Sequence, residues 1–169
     1  MAADGSVDRL PVVDRAPAGH PVSARHVFRS EWRLVASADE VYAALQDVAG
    51  YPAWWPQVRS VRQLDDETGE VRCRSLLPYD LVFAIRRDVE DPAARVLRAH
   101  QTGDLDGWSQ WSISAAAGGA IVVFDEDVVV RKLLVRRAGL LARPALRFNH
   151  AVMMRDGERG LRRHLEQGA

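Results

Sequence analysis

Apolar and polar residues alternate over residues 26–34. Phe28, Trp32 and Leu34 are apolar, and charged residues stand between them. A period of two is typical of a strand that buries one face and exposes the other. The alternation therefore predicts that the first element of the domain is a strand.

A helix is predicted directly after this strand. The run from Ser37 to Glu40 has the pattern of a capping box, in which the serine caps the helix and the glutamate reaches back. An apolar stripe at helical spacing follows and ends at Gly50; it consists of Val41, Ala44, Leu45 and Val48. Residues 51–56 are aromatic, rich in proline and long enough for only one further helical turn.

From Val58 to Val130 the pattern is one of strands and turns. Short connections rich in Asp, Pro and Gly separate the segments, and such connections favour an antiparallel meander because parallel strands need long crossovers. The predicted strands are 58–65, 70–77, 81–90, 95–103, 108–115 and 120–130.

The helical period returns near the end of the chain. Pro144 suits a helix start, where its missing N–H costs nothing. A helix over 144–167 would be about 36 Å long and would span a small domain. Gly157 and Gly160 would let it approach another backbone or leave room for a ligand. Its predicted inner stripe is Leu146, His150, Met153, Gly157, Leu161 and His164.

Composition adds limits to this picture. The 169 residues fit one domain, with 47% hydrophobic and 27% charged residues. We predict a flexible leader over 1–24 and one domain over 25–169. The single cysteine, Cys73, excludes an internal disulfide and favours a reducing, cytoplasmic setting. Charge is uneven: residues 131–169 carry 10 basic and 3 acidic residues, whereas residues 1–130 carry 13 arginines and 20 acidic residues.

Four segments together resemble the START-like superfamily, also called SRPBCC, especially its bacterial polyketide cyclase/dehydrase and lipid-transport members. The segments are Trp32 with Ala36–Tyr42, Asp47–Val58, Gly103–Gly107 with Trp111, and Phe148–Gly157 with Gly160 and Leu161. The charged run Asp125–Lys132 departs from the aromatic-rich strand end expected of such relatives. The resemblance covers about residues 25–167.

The resemblance implies an α+β helix-grip fold. In this fold a seven-stranded curved antiparallel sheet wraps around a long C-terminal helix, and two short helices follow strand 1. It also implies binding or transport of a hydrophobic small molecule (a lipid, an isoprenoid or an aromatic polyketide) in an internal cavity. The alternative is a polyketide cyclase or dehydratase that uses a cavity histidine. A weaker alternative is a protein-interaction or stress-response module that uses the outer sheet face at Arg29, Glu31 and Arg33.

Candidate site residues follow from these patterns and from the resemblance. His150 lies in the middle of the last helix and is the candidate general acid or base, since a histidine titrates near neutrality. One of Trp54 and Trp55 could gate the cavity while the other packs in the core, and their spacing leaves open which does which. The predicted ligand-binding residues are Trp54, Trp55, Trp111, Phe124, Asn149, His150, Met153 and Gly157.

Other chemically capable residues have more ordinary interpretations. His100 shares a strand face with polar residues, which favours solvent exposure. Cys73 shares a face with Val71, which favours a buried, inert thiol. Asp125 and Asp127 could bind a cation, but no third ligand is near them in sequence. An arginine among Arg72, Arg74, Arg86 and Arg87 could point inward, although solvated outer positions are commoner for arginine.

Several classes of partner are disfavoured. The sequence has no Gly-rich phosphate loop, no Ser-His-Asp elbow and no HExxH pattern, so we predict no cofactor, no metal and no nucleic acid. The stretch Arg131–Arg143 mixes leucines with basic residues. It could contact an anionic membrane transiently, or it could be the loop that closes one end of the fold. The sequence does not indicate an oligomeric state.

Overall fold

Seven strands and three α-helices are present in the part of the chain that the computed structural model describes, residues 25–74, 76, 79–131 and 142–168. A short 3-10 turn, Val48–Gly50, joins the first two helices. The elements are β1 (Arg25–Leu34), α1 (Ala38–Gln46), α2 (Tyr51–Trp54), β2 (Val58–Gln63), β3 (Thr68–Arg74), β4 (Asp80–Asp91), β5 (Val96–Gly103), β6 (Leu105–Ala116), β7 (Gly119–Val130) and α3 (Ala142–Gly168).

The strands form one antiparallel sheet in the order β1-β7-β6-β5-β4-β3-β2. Strands β2 to β7 pair with their sequence neighbours, as the short connections predict. Strand β1 pairs with β7 over its whole length, from Arg25 opposite Val129 to Leu34 opposite Ala120. The chain therefore crosses from one edge of the sheet to the other between β1 and β2, and α1 and α2 lie on this crossover.

The capping box starts α1 as the sequence predicts. The Ser37 hydroxyl accepts a hydrogen bond from the Glu40 N–H at 3.3 Å, and the Glu40 carboxylate accepts one from the Ser37 N–H at 2.8 Å. Val41 and Leu45 on its apolar stripe are almost completely buried. Burial of this stripe fixes the crossover against the end of the sheet.

The long helix α3 closes the concave face, and its observed bounds extend the predicted ones by a few residues. Two close approaches position it. A Cβ at Gly160 would collide with the Trp54 carbonyl oxygen, and one at Gly157 would lie 2.7 Å from the Trp55 ring. The glycines therefore bring α3 against α2 and its following residue, which is the backbone-approach role expected for them.

One predicted inner position of α3 is wrong. His164 is exposed, whereas Met154 and Gly160 are buried. Fixed helical spacing continues the predicted stripe to His164, but near the end of α3 this side chain faces solvent. Leu161, one turn earlier, is fully buried as predicted. The architecture as a whole is the seven-stranded helix-grip fold.

Candidate functional site

A cavity of about 380 Å³ lies between the concave face of the sheet and α3. Its wall is mostly aromatic and aliphatic, which suits an apolar occupant. The strands bring alternate side chains inward, and α3 contributes His150 and two methionines. The wall includes Trp55, Val71, Phe83, Trp111, Phe124 and Met153.

One end of the cavity has an acidic rim, which we define as Asp47, Asp65, Asp66, Glu67 and Glu90. These residues come from the end of α1, the β2–β3 turn and the β4–β5 end of the sheet. Arg87 also lies at the rim, and its Nε is 2.8 Å from a carboxylate oxygen of Glu90. The rim therefore has a surplus of negative charge.

Three polar side chains meet on the cavity wall away from the acidic rim. The Gln101 Nε2 donates a hydrogen bond of 3.0 Å to Glu126 Oε1. The other carboxyl oxygen, Glu126 Oε2, is 3.7 Å from His150 Nε2. Glu126 is only 8% exposed and Gln101 only 4% exposed. We call Gln101, Glu126 and His150 the polar cluster.

The polar cluster spans three neighbouring strands. Gln101 is on β5 and Glu126 is on β7, so β6 lies between them. At this level β6 carries Gly107, opposite Gln101, and Ser109, opposite Glu126. Both residues are small, and their size leaves space for the glutamine amide to reach across the intervening strand.

Burial changes the acid–base behaviour of the cluster. It raises the pKa of Glu126 to about 7, and the hydrogen bond from Gln101 opposes this only partly. Burial lowers the pKa of His150 to about 4, because the charged imidazolium is disfavoured away from water. Near neutral pH the imidazole is therefore uncharged, and the carboxyl is poised between its two forms.

Stacked rings fix the imidazole of His150. Its ring centroid is 4.1 Å from that of Phe28 with an interplanar angle of 11°, and 6.0 Å from that of Phe124. Phe124 in turn contacts Trp111 at 4.4 Å. The histidine ring of α3 therefore packs on Phe28 of β1 and Phe124 of β7, with its Nε2 3.7 Å from Glu126 Oε2.

The two adjacent tryptophans have different roles. Trp55 lines the cavity, and its Nε1 donates a 3.0 Å hydrogen bond to the Met153 carbonyl oxygen. Trp54 is buried outside the lining and stacks on Trp55 at 5.4 Å. The helix α2 ends between them, since Trp55 has extended backbone angles. The sequence left open which tryptophan faces the cavity. In the structure Trp55 contacts the cavity and Trp54 packs in the core.

The remaining predicted ligand-binding residues fall into two groups. Trp111, Phe124, His150 and Met153 line the cavity together with Trp55. Asn149 and Gly157 lie outside the lining, like Trp54. The Asn149 side-chain oxygen accepts a 2.8 Å hydrogen bond from the Leu76 N–H, and Gly157 packs against the Trp55 ring. Asn149, Gly157 and Trp54 therefore pack behind the residues that line the cavity.

The charged and thiol-bearing candidates mostly face outward or are inert. Asp125 and Asp127 bind Arg29 and Arg25 on the outer face of β7 and β1. His100 is exposed, as expected. Cys73 lines the cavity, and burial, with Glu126 and Asp80 nearby, raises the pKa of its thiol to about 12.

None of the arginines considered above reaches the polar cluster. Arg72, Arg74 and Arg86 are exposed, which is the commoner outcome for arginine, and Arg87 stays at the rim. Within the described residues, no group of three or more His, Cys, Asp or Glu side chains is arranged to hold a metal ion.

Glu126 and Gln101 are site residues that were not predicted from the sequence. Only the two aspartates that flank Glu126 were predicted candidates, although the alternation of β7 puts Glu126 on the same face as Phe124 and Val128. Likewise, Gln101 shares the less polar face of β5 with Leu97 and Ala99. The alternation of inward and outward side chains along each strand was therefore the signal that could have identified both residues.

Most of the basic stretch Arg131–Arg143 and the leader 1–24 lie outside the described residues. Arg131 itself pairs with Asp106. Contact of this stretch with a membrane stays a prediction. Among the described helices, none has the length and apolar composition needed to cross a bilayer.

The strand order, the long C-terminal helix and the apolar cavity between them are those of a helix-grip protein. The family model described as polyketide cyclase / dehydrase and lipid transport matches residues 34–153. The chain therefore belongs to this family, as its sequence resemblance indicated. Comparison with the curated proteins finds no match.

Solved structures share the same fold at low sequence identity. The ZhuI aromatase/cyclase from Streptomyces sp. R1128 has a TM-score of 0.71 and 20% identity, covering 85% of this chain and 95% of that one. A START superfamily protein from Mycobacterium smegmatis has a TM-score of 0.63 and 17% identity, covering 86% and 99%. The di-domain ARO/CYC BexL from the BE-7585A biosynthetic pathway has a TM-score of 0.57 and 20% identity, covering 82% and 46%.

Proposed function

We propose that this protein binds one hydrophobic small molecule in the cavity between the sheet and α3, and that it carries or sequesters that molecule. The observation that carries the proposal is an apolar wall around about 380 Å³. Ligand cavities are typically about 300–1,000 Å³, and a dry cavity of about 150 Å³ accepts benzene. The space therefore suits a ligand of about two or three fused rings or a folded chain of similar size.

A cavity-filling variant tests this function directly. Ala99 lines the cavity on β5, and the next residue, His100, points outward on the same strand. Ala99→Phe should abolish binding of an apolar fluorescent probe such as 1-anilinonaphthalene, while His100→Phe should leave it unchanged. Both variants need a thermal melt to confirm folding. Equal binding by the wild-type protein and a folded Ala99→Phe variant would contradict the proposal.

A second experiment asks what the protein carries. Native mass spectrometry of the purified protein, followed by solvent extraction, should release an apolar molecule from the wild-type protein and none from Ala99→Phe. Recovery of the same molecule from both proteins would locate it outside the cavity.

The polar cluster supports a second candidate, catalysis of ring closure in a chain of alternating ketones. His150 would take a proton from a carbon between two carbonyls. That carbon would then bond to the carbon of a third carbonyl farther along the chain, whose oxygen would take the Glu126 proton. A proton passed from His150 to Glu126 would restore both groups, and loss of water from the product would complete dehydration.

The two candidates differ in the fate of the ligand. A binding protein returns its ligand unchanged, whereas a cyclase converts a synthetic poly-β-ketone thioester to a ring product. Under the catalytic candidate, His150→Gln should slow turnover about 100-fold or more, and the outward control His100→Gln should not. Normal turnover by His150→Gln would exclude this mechanism.

A further inference from the structure

The polar cluster is costly to maintain in an apolar cavity. Burying a carboxyl, an amide and an imidazole removes water from all three, and only part of that loss is regained through internal hydrogen bonds. Gln101 Nε2 and Glu126 Oε1 are paired at 3.0 Å. Among the residues that the structure describes, neither Gln101 Oε1 nor His150 Nε2 has a hydrogen-bond partner. Two buried polar atoms beside Glu126 are thus available to a ligand.

The charges around the cavity limit what that ligand can be. Of the basic side chains in the described lining, Arg87 is paired with Glu90 at the rim. Arg98 places its guanidinium 4.5 Å above the Trp108 ring and 3.6 Å from Asp88. In the described lining, the polar cluster therefore faces no free cation that could neutralise a ligand carboxylate. The acidic rim would also repel an anion on its way in.

We propose that Gln101, Glu126 and His150 form a recognition site for an uncharged hydroxyl or keto group on an otherwise apolar ligand, and that the cavity rejects carboxylates. A hydroxyl or keto oxygen can accept a hydrogen bond from the Glu126 carboxyl, and a hydroxyl can also donate to Gln101 Oε1 or His150 Nε2. The inference rests on the proposed binding function, and it narrows the ligand from any hydrophobic molecule to a neutral oxygenated one.

Three probes of nearly equal size test the recognition site separately from the proposed binding function of the cavity. Naphthalene tests the apolar cavity alone, 1-naphthol adds one hydroxyl, and 1-naphthoic acid adds a carboxylate. We expect calorimetry at pH 6, where the Glu126 carboxyl keeps its proton, to show 1-naphthol binding about 5- to 30-fold more tightly than naphthalene, the gain from one or two buried hydrogen bonds. We expect 1-naphthoic acid to bind at least 10-fold more weakly than naphthalene.

The outcomes distinguish failure of the inference from failure of the proposed function. Equal affinity for naphthalene and 1-naphthol, or preferred binding of 1-naphthoic acid, would overturn the recognition site while leaving the cavity function intact. If none of the three probes binds, both the recognition site and the proposed binding function are wrong.

Variants then assign the preference to the polar cluster. Glu126→Leu should reduce the 1-naphthol preference to less than about 3-fold while naphthalene still binds. Glu126→Gln keeps the shape of the side chain and a hydrogen-bonding group, so it should retain part of the preference for 1-naphthol. This variant also provides a test if Glu126→Leu fails to fold. His100→Leu, beside Gln101 but outward, should keep the full preference. A folded Glu126→Leu protein with the wild-type preference would overturn the assignment.

Discussion

The Nε2 atom of His150 lies 3.7 Å from Oε2 of Glu126, across the gap between α3 and β7. Both groups are buried, and burial moves their pKa values in opposite directions, Glu126 to about 7 and His150 to about 4. In each case the uncharged form is favoured. Opposite shifts of this kind have opposite effects on how stability depends on pH.

The first prediction concerns Glu126 and stability. In the unfolded chain this carboxyl ionises near pH 4.5, but in the folded protein only near pH 7. The folded state therefore holds the extra proton between these values, and stability is lost as pH rises through this window. Glu126→Gln removes the loss, so at pH 8 it should be more stable than the wild type by up to about 3 kcal/mol, at about 1.4 kcal/mol per pKa unit. Urea denaturation at pH 5 and pH 8 measures this.

The matched control for this experiment is Asp125→Asn, on the outer face beside Glu126. Asp125→Asn should not stabilise the protein at pH 8, since it removes the surface ion pair of Asp125 with Arg29. A Glu126→Gln protein that is less stable than the wild type at pH 8 would show that the folded carboxyl is ionised and well compensated.

The second prediction isolates His150. Its unfolded pKa is 6.5 and its folded pKa about 4, so the unfolded chain binds the extra proton between these values. Stability is therefore lost as pH falls from 6.5 to 4. In the wild type the Glu126 effect opposes this between pH 4.5 and 6.5. Glu126→Gln should uncover the histidine slope in acid denaturation curves, and adding His150→Phe should make that slope shallower. Part of the slope should remain, because burial also lowers the pKa of His26. A double variant with the same slope as Glu126→Gln would assign the acid sensitivity to groups other than His150.

The third prediction concerns the contact between α3 and Trp55. Alanine is normally better than glycine in a helix by about 1 kcal/mol. At Gly157, however, a Cβ would lie 2.7 Å from the Trp55 ring, which is also fixed by its hydrogen bond to Met153. Gly157→Ala should therefore destabilise the protein by about 1–3 kcal/mol and change its tryptophan fluorescence. Gly168→Ala, with open space around it, is the control and should be neutral. Stabilisation by Gly157→Ala would mean that the ring can move aside.

Local sequence patterns predicted much of the fold because each depends on residues close in the chain. The alternation around Trp32 placed β1, and the Ser37–Glu40 pattern placed the start of α1. Both rest on geometry that a few neighbouring residues determine. The pairing of β1 with β7 joins residues about a hundred positions apart, and no local pattern in the sequence predicts it.

The site was less predictable, and Glu126 shows why. The alternation of side chains along β7 predicts that Glu126 points inward. A carboxylate is ordinarily expected on the outside, however, because burying it removes it from water. What makes its burial tolerable is Gln101, which reaches it across the small residues Gly107 and Ser109 of β6. That compensation depends on the register of three strands. The choice between Trp54 and Trp55 likewise depended on where α2 ends.

The last prediction concerns the pH dependence of ligand affinity. Naphthalene has no titrating group, so any dependence must come from the protein. Naphthalene in the cavity would displace solvent from the Glu126 carboxyl and raise its pKa further above 7. The bound state would then favour the protonated form, so affinity should be highest below about pH 6 and be lost as pH rises through the bound-state pKa. His150, with a pKa of about 4, and Cys73, with a pKa of about 12, do not titrate between pH 6 and 9. Calorimetry with naphthalene at pH 6 and pH 9 should therefore show a drop in affinity for the wild type and none for Glu126→Leu. A wild-type affinity that rises with pH would mean that the ligand stabilises the ionised carboxylate, and the polar cluster would then favour cationic molecules over neutral ones.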